Sequence, residues 1–137
     1  MKEWLYPTLA TLIFWGLWGF TSKLVTNHIS PLNAILFEAL GGLAVALVVI
    51  FATGARIEGN APGIGLAMLT GAFVFLGSVF FLFAIRDGKT SIVVALTALY
   101  PLFTIALAMI FLHETLTVKQ GIGVLLAVAA IILISWK

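Results

Sequence analysis

Five long apolar runs fill most of this 137-residue chain. They lie at about residues 5–25, 32–52, 64–85, 91–112 and 121–136. A spanning helix needs about 20 mostly apolar residues, because each rises about 1.5 Å through a hydrocarbon core of about 30 Å. The expected fold is therefore an all-α membrane protein of five transmembrane helices, with residues 1–137 forming a single membrane domain. Composition agrees: 63% of residues are hydrophobic and 9% charged, against roughly a quarter charged in soluble domains. A soluble chain this short could not remove so much apolar surface from water.

The remaining residues punctuate the runs. The first run is too long for a signal-peptide core and lacks a small-residue cleavage site, so it reads as a retained span. Pro7 sits in its first turn, where a missing N–H does no harm. Ser30 and Pro31 fit the N-cap and first helical position of the second span. Residues 53–63 hold Gly54, Gly59, Asn60, Pro62 and Gly63 around Arg56 and Glu58, which describes a water-exposed loop. Gly88 suits a C-cap for the third helix. Pro101 lies near the middle of the fourth and should kink it. Thr117 and Gln120 fit a capping box that opens the fifth, the shortest. Trp4, Tyr6 and Trp136 stand at span ends, where amphipathic rings prefer the headgroup level. Small residues four apart (Gly42 with Ala46, Ala67 with Gly71, Gly123 with Ala127) fit close helix contacts, although ordinary packing explains any single pair as well.

With five spans the two termini lie on opposite sides of the membrane. The side of the N-terminus, side A, carries Lys2, Arg56 and Lys119; side B carries Lys23, Arg86, Lys89 and Lys137. Orientation follows an excess of Lys and Arg on the cytoplasmic side, and here the two sides differ by one. Two outcomes remain open. Either a few charges or the insertion machinery still select one orientation, or both orientations occur and pair as an antiparallel homodimer. The second would give a ten-helix unit built from inverted repeats, a common transporter architecture with its substrate site near the midplane.

A further pattern runs through the chain: Trp18-Gly19 and Lys23, Ser30-Pro31, Ala84-Ile85-Arg86, Tyr100-Pro101, and the run Phe111-Leu112-His113-Glu114-Thr115-Leu116-Thr117 followed by Gln120-Gly121. It resembles the EamA-type drug/metabolite transporter superfamily, whose signature "lgErlt…q..G" this last run follows almost in register. The resemblance covers essentially the whole chain. It implies half of a ten-helix inverted-repeat fold and export or import of small metabolites or drugs by alternating access. One position departs: where members commonly carry an Arg early in the second helix, this chain has Glu38.

Glu38 is also the residue that membrane physics singles out. It lies about six residues, roughly 9 Å, into its span. A charge there costs a few kcal/mol if it faces lipid, so it should face protein or a water-filled cavity. It could bind a proton, a cationic substrate, or each in turn. The structural alternative is an ion pair with Lys23, at comparable depth across the tight turn; the two readings are compatible if the pair opens during transport. Thr97, Tyr100 and Thr104 fall at i, i+3 and i+7 beside Pro101 and would line a cavity, unless the threonine hydroxyls bond their own backbone. Trp15 and Trp18 share a face of the first helix, suited to core packing or to a cation–π wall. Glu114 reads as a structural turn residue, as the family resemblance implies. His113 reads as an interfacial side chain, with no second ligand at metal-site spacing.

Several classes are excluded or unsupported. The net charge of +2 is scattered and forms no basic stripe, so the footprint of a nucleic-acid binder is missing. The absence of cysteine removes disulfides, thiolate metal sites and cysteine nucleophiles. No phosphate loop, metal-spaced His cluster or nucleophile elbow is present. The expectation is a multi-pass transporter rather than an enzyme, without cofactor or metal, in a prokaryotic inner membrane. The partners expected are the bilayer, a small-molecule substrate and a second copy of the chain. Two rivals stand beside it: a non-transporting membrane subunit, and a lipid-carrier flippase subunit that requires a different partner.

Overall fold

The computed structural model describes residues 4–54 and 59–136. Regular structure among them is helical: α1 (Leu5–Thr26), α2 (Pro31–Ala52), α3 (Ala61–Asp87), α4 (Thr90–Thr97), α5 (Tyr100–Phe111) and α6 (Val118–Ser135). Four stretches are long and apolar enough to cross a membrane: α1, α2, α3, and Thr90–Phe111 taken together; a shorter apolar helix covers Val118–Ile134. The fold is that of an all-α membrane protein of about five spans. Lys2, Arg56, Glu58 and Lys137 lie outside the described residues.

The helices group into two compact units, the first ending at Asp87 and the second beginning at Gly88. In the first, each helix start has a side-chain cap or a proline where the sequence offers one. Ser30 Oγ accepts the Asn33 N–H at 3.3 Å, and Pro31 opens α2. α3 begins at Ala61, three residues ahead of expectation. The same cap chemistry accounts for this: Asn60 Oδ1 accepts the Gly63 N–H at 2.9 Å, with Pro62 in the first turn.

Burial in this unit is confined to one end. The buried residues are Gly19 and Ser22 near the end of α1, Pro31 and Ala34 at the start of α2, and Ser78, Phe81, Leu82 and Ile85 near the end of α3. The α3 set recurs at i, i+3, i+4 and i+7, a single helical stripe. At the far ends of the same helices, Leu9, Leu12, Val48, Phe51, Leu66 and Met68 are exposed. Lipid tails solvate such residues as well as a protein core does.

Gly88 does not close α3 in the left-handed conformation; the described glycine with positive φ is Gly54, at 71°. α3 is closed instead by a side chain from α1. Lys23 Nζ donates to the carbonyls of Ile85 at 2.8 Å and Arg86 at 3.0 Å. The last carbonyls of a helix lack intrahelical partners and carry its negative dipole end, so an ammonium satisfies both needs.

In the second unit the expected kink at Pro101 is a full interruption: α4 ends at Thr97 and α5 begins at Tyr100. Proline has no N–H to return to the Thr97 carbonyl, and its ring crowds that carbonyl. The chain bridges the gap with tighter bonds, Leu99 N–H to Leu96 O at 3.1 Å and Leu102 N–H to Leu99 O at 2.9 Å, the i→i+3 pattern of a 3₁₀ turn. α6 opens with the expected capping box: Gln120 N–H donates to Thr117 Oγ1 at 3.3 Å, and Thr117 N–H donates to Gln120 Oε1 at 2.8 Å. Because the box sits at Thr117, the helix starts at Val118, ahead of the expected residue 121. Of the expected small-residue contacts, Gly42 approaches the Phe75 ring of α3, whereas Gly71 and Gly123 face open space.

Candidate functional site

α2 sets the position of Glu38. Pro31 and Ala34 are buried, and Glu38 follows them at i+7 and i+4, so it continues the face that α2 turns toward the rest of its unit. It is half-buried. As the eighth residue of α2 it lies roughly 10 Å along the helix axis.

Its neighbour is aromatic. The Trp18 side chain of α1 lies near enough to the Glu38 carboxyl to interact with it. Trp18 in turn stacks on Phe81 of α3, with ring centroids 4.6 Å apart and planes 27° apart. Phe81 is buried, while Trp18 keeps 37% of its surface exposed. One ring is thus fixed from behind by the core and open toward its surroundings. Gly19 and Ser22 beside it are buried, and Ser22 Oγ donates to the Trp18 carbonyl at 2.7 Å.

The ion pair between Lys23 and Glu38, the structural alternative for these two residues, is not formed. Lys23 spends its ammonium on the α3 carbonyls. Arg86 is held by its neighbour Asp87, through Nε to Oδ1 at 2.8 Å and Nη2 to Oδ2 at 2.9 Å. Among the described residues this is the ion pair present.

The other candidates are arranged differently from expectation. The interruption of the fourth span puts Thr97 on α4, and Tyr100 and Thr104 on α5. Thr97 Oγ1 donates to the Val93 carbonyl at 2.9 Å and Thr104 Oγ1 to the Tyr100 carbonyl at 3.4 Å, the back-bonding arrangement of threonine in helices. Tyr100 is exposed at the first turn of α5, and Trp15 is exposed on α1. A groove of about 450 Å³ in the second unit runs past the interruption at Ala98, Leu99 and Pro101 and along Gln120, Gly123 and Ala127 of α6. Its walls are mainly apolar. Glu114 lies in the turn after α5, where its N–H reaches the Ala108 carbonyl at 3.3 Å past His113, whose φ is 54°.

Sequence reasoning missed Phe81, the residue behind Trp18. α3 is apolar on every side, so no contrast between faces marked it. Ser22 and Ser78 were available signals: each is a small polar residue inside an apolar run, and each is buried.

These features define a multi-pass helical membrane protein with an intramembrane carboxylate and an interrupted span. The EamA-like transporter family matches residues 4–136, and the chain belongs to that family. A protein of Methanocaldococcus jannaschii of uncharacterized function is 32% identical over 93% of this chain and 92% of its own length. An uncharacterized transporter of Archaeoglobus fulgidus is 31% identical over 98% of this chain and 48% of its own length. An uncharacterized transporter of Bacillus subtilis is 30% identical over 94% and 43%. This chain therefore spans about half the length of the two relatives that carry the transporter name. No solved structure matches it significantly.

Proposed function

We propose that the chain is a secondary transporter of small metabolites or drugs that works as an antiparallel dual-topology homodimer, with Glu38 as its proton-coupling group. The observation that carries the reading is the near balance of Lys and Arg, three on side A against four on side B. An orientation rule that counts these residues leaves both insertions close in energy. Two oppositely inserted copies supply the inverted-repeat symmetry on which alternating access depends. The length comparison supports this: two transporter relatives hold a match to this chain within about half of their own length, so a pair of such units fits the whole. The family and the archaeal and bacterial relatives also support a prokaryotic cell membrane. Glu38 supports coupling because it is a half-buried carboxylate inside a span, with no ion pair to a basic side chain among the described residues, and such groups mark ion and proton pathways.

Topology is the test, and the natural absence of cysteine makes it clean. Asn27→Cys reports the turn between α1 and α2, and Gly59→Cys the opposite loop. Intact cells are labelled with a membrane-impermeant thiol reagent. Labelling of about half the molecules at each site is the expected result. Full labelling at one site and none at the other would end the homodimer reading. It would favour the subunit or lipid-carrier flippase alternatives, each of which needs a different partner.

A further inference from the structure

The groove of the second unit is a wedge made by the interrupted span. α6 packs against α4, whereas α5 stands away from it, and the break at Ala98 and Leu99 lies between the two halves. Leu102 and Ile105 of α5 and Val124, Val128 and Ile131 of α6 line the wedge half-buried, without closing on one another. Gly123 and Ala127 also line it and are too small to fill it; a Cβ added at Gly123 would meet nothing within 4 Å.

An apolar void of about 450 Å³ is unfavourable if left empty, because its lining loses dispersion partners. Water does not settle in an apolar cavity. The filler is therefore apolar, and dimensions select it. The α6 lining runs from Gln120 to Ile131, roughly 16 Å along the helix axis. Half of the hydrocarbon core is about 15 Å deep. The wedge is as long as one leaflet is thick. A helix with its side chains is about 10–12 Å across, too wide to enter a groove of this volume and length, whereas a single acyl chain fits.

The end of the wedge at Leu116 and Gln120 is polar, and it presents donors. Gln120 Oε1 is occupied, accepting from Thr117 N at 2.8 Å and Thr117 Oγ1 at 2.9 Å, so its amide NH2 remains to donate. Lys119 is exposed in the same helical turn. It forms no ion pair among the described residues, and Glu114 in the preceding turn does not engage it. An ammonium beside an amide NH2 suits a phosphate oxygen, which accepts from both.

We infer that the wedge holds a resident glycerophospholipid of the surrounding leaflet, with one acyl chain between α5 and α6 and the phosphate at Lys119 and Gln120. The groove is a partner surface separate from Glu38, and its occupancy does not depend on transport. Phosphate lies at the headgroup level of both leaflets, so the site works in either orientation of the chain. The competing occupant is a second copy that inserts side chains into the same groove.

Native mass spectrometry of the purified full-length chain, delipidated and released from detergent micelles, reads bound lipid and oligomeric state together. The probe is phosphatidylglycerol, and a diacylglycerol with the same acyl chains is the comparison that lacks phosphate. Wild type should retain one phosphatidylglycerol per chain and bind the diacylglycerol several-fold less. Gly123→Leu combined with Ala127→Leu fills the groove and should lower retention at least ten-fold, with helicity by circular dichroism unchanged. Lys119→Ala alters only an exposed side chain and should lower retention roughly five-fold, and Lys119→Arg should keep most of it. If the filled variant does not fold, Lys119→Ala and the diacylglycerol comparison decide. Retention unchanged by these substitutions, or equal retention of the diacylglycerol, overturns the site. Loss of dimer with lipid retention unchanged on filling the groove would assign it to a second copy and overturns it as well.

Discussion

The first unit buries Leu82 and Ile85 completely, whereas no described residue of the second unit is buried. Both units are made of apolar helices, so hydrophobicity does not separate them. Lipid tails are as apolar as leucine, and helices in a membrane associate through close packing and polar contacts. The first unit has both. Gly19, Ala34 and Ser78 are small and buried, and Lys23 ties α1 to the end of α3. The second unit spends its polar groups within its own segments: Thr97 and Thr104 on the preceding turn, Thr117 and Gln120 on each other. Its small residues along α6 meet open space at Gly121 and Gly123. A helix surface of this kind is left for lipid or for another protein surface.

The largest expected effect tests that contrast directly. Leu82→Ala leaves a cavity among packed side chains and should destabilise the protein by about 2 kcal/mol. This is the low end of the range for buried leucines, because the unfolded chain also stays in an apolar solvent. Leu125→Ala on α6, where the side chain is 69% exposed, should change stability by less than about 0.5 kcal/mol. Reversible unfolding in detergent mixtures with rising dodecyl sulfate measures both. Equal losses would mean that α6 is packed in the functional assembly and that the contrast belongs to the isolated chain.

Much of the helix layout was legible from the sequence because punctuation in a membrane chain is sparse and specific. Ser30-Pro31 and Thr117 with Gln120 gave two starts through cap chemistry alone. Asn60-Ala61-Pro62 carries the same signal, but it lies among glycines and charged residues that by themselves describe a water-exposed loop. The interruption at Ala98-Leu99 was visible as Pro101, but its extent was not. Whether a proline bends or breaks a helix depends on which bonds the preceding turn can remake, and here the remade bonds are 3₁₀ bonds. The site was half legible. Glu38 and Trp18 stood out by chemistry, yet their pairing depends on helix rotation. The choice of Lys23 between Glu38 and the α3 carbonyls depends on where α3 ends. Sequence placed the end of the third span near residue 85; the helix runs on to Asp87, which brings the terminal carbonyls within reach of Lys23.

That choice gives the second expected effect. Lys23→Met keeps most of the stem and removes two charge-assisted hydrogen bonds. The loss should be about 1.5 kcal/mol, the low end for bonds to a charged group, because the site is only half-buried. It should appear first as faster hydrogen exchange in the last turn of α3, by roughly ten-fold, with Lys23→Arg retaining most of the protection. If Lys23→Met leaves the α3 end unchanged, the carbonyls are satisfied by water. The first unit would then owe its order to packing alone.

The smallest effect lies in the second unit, at His113. Its φ of 54° is a left-handed conformation that crowds Cβ against the following carbonyl and costs an L-residue roughly 1–2 kcal/mol. The family signature that this turn resembles has glycine in the place His113 takes, before the glutamate that corresponds to Glu114. The backbone explains that glycine: the turn after α5 needs the left-handed conformation for the Glu114 N–H to reach the Ala108 carbonyl. His113→Gly removes the crowding but gives the unfolded chain more freedom, worth about 0.5–1 kcal/mol in the opposite sense. The net expectation is a gain of about 0.5 kcal/mol, read in the same unfolding assay. His113→Val, branched at Cβ and strongly disfavoured at positive φ, should lose about 1 kcal/mol instead. A loss for both variants would show that the imidazole makes a stabilising contact of its own. The turn would then be a place where the second unit, like the first, fixes its backbone with a side chain.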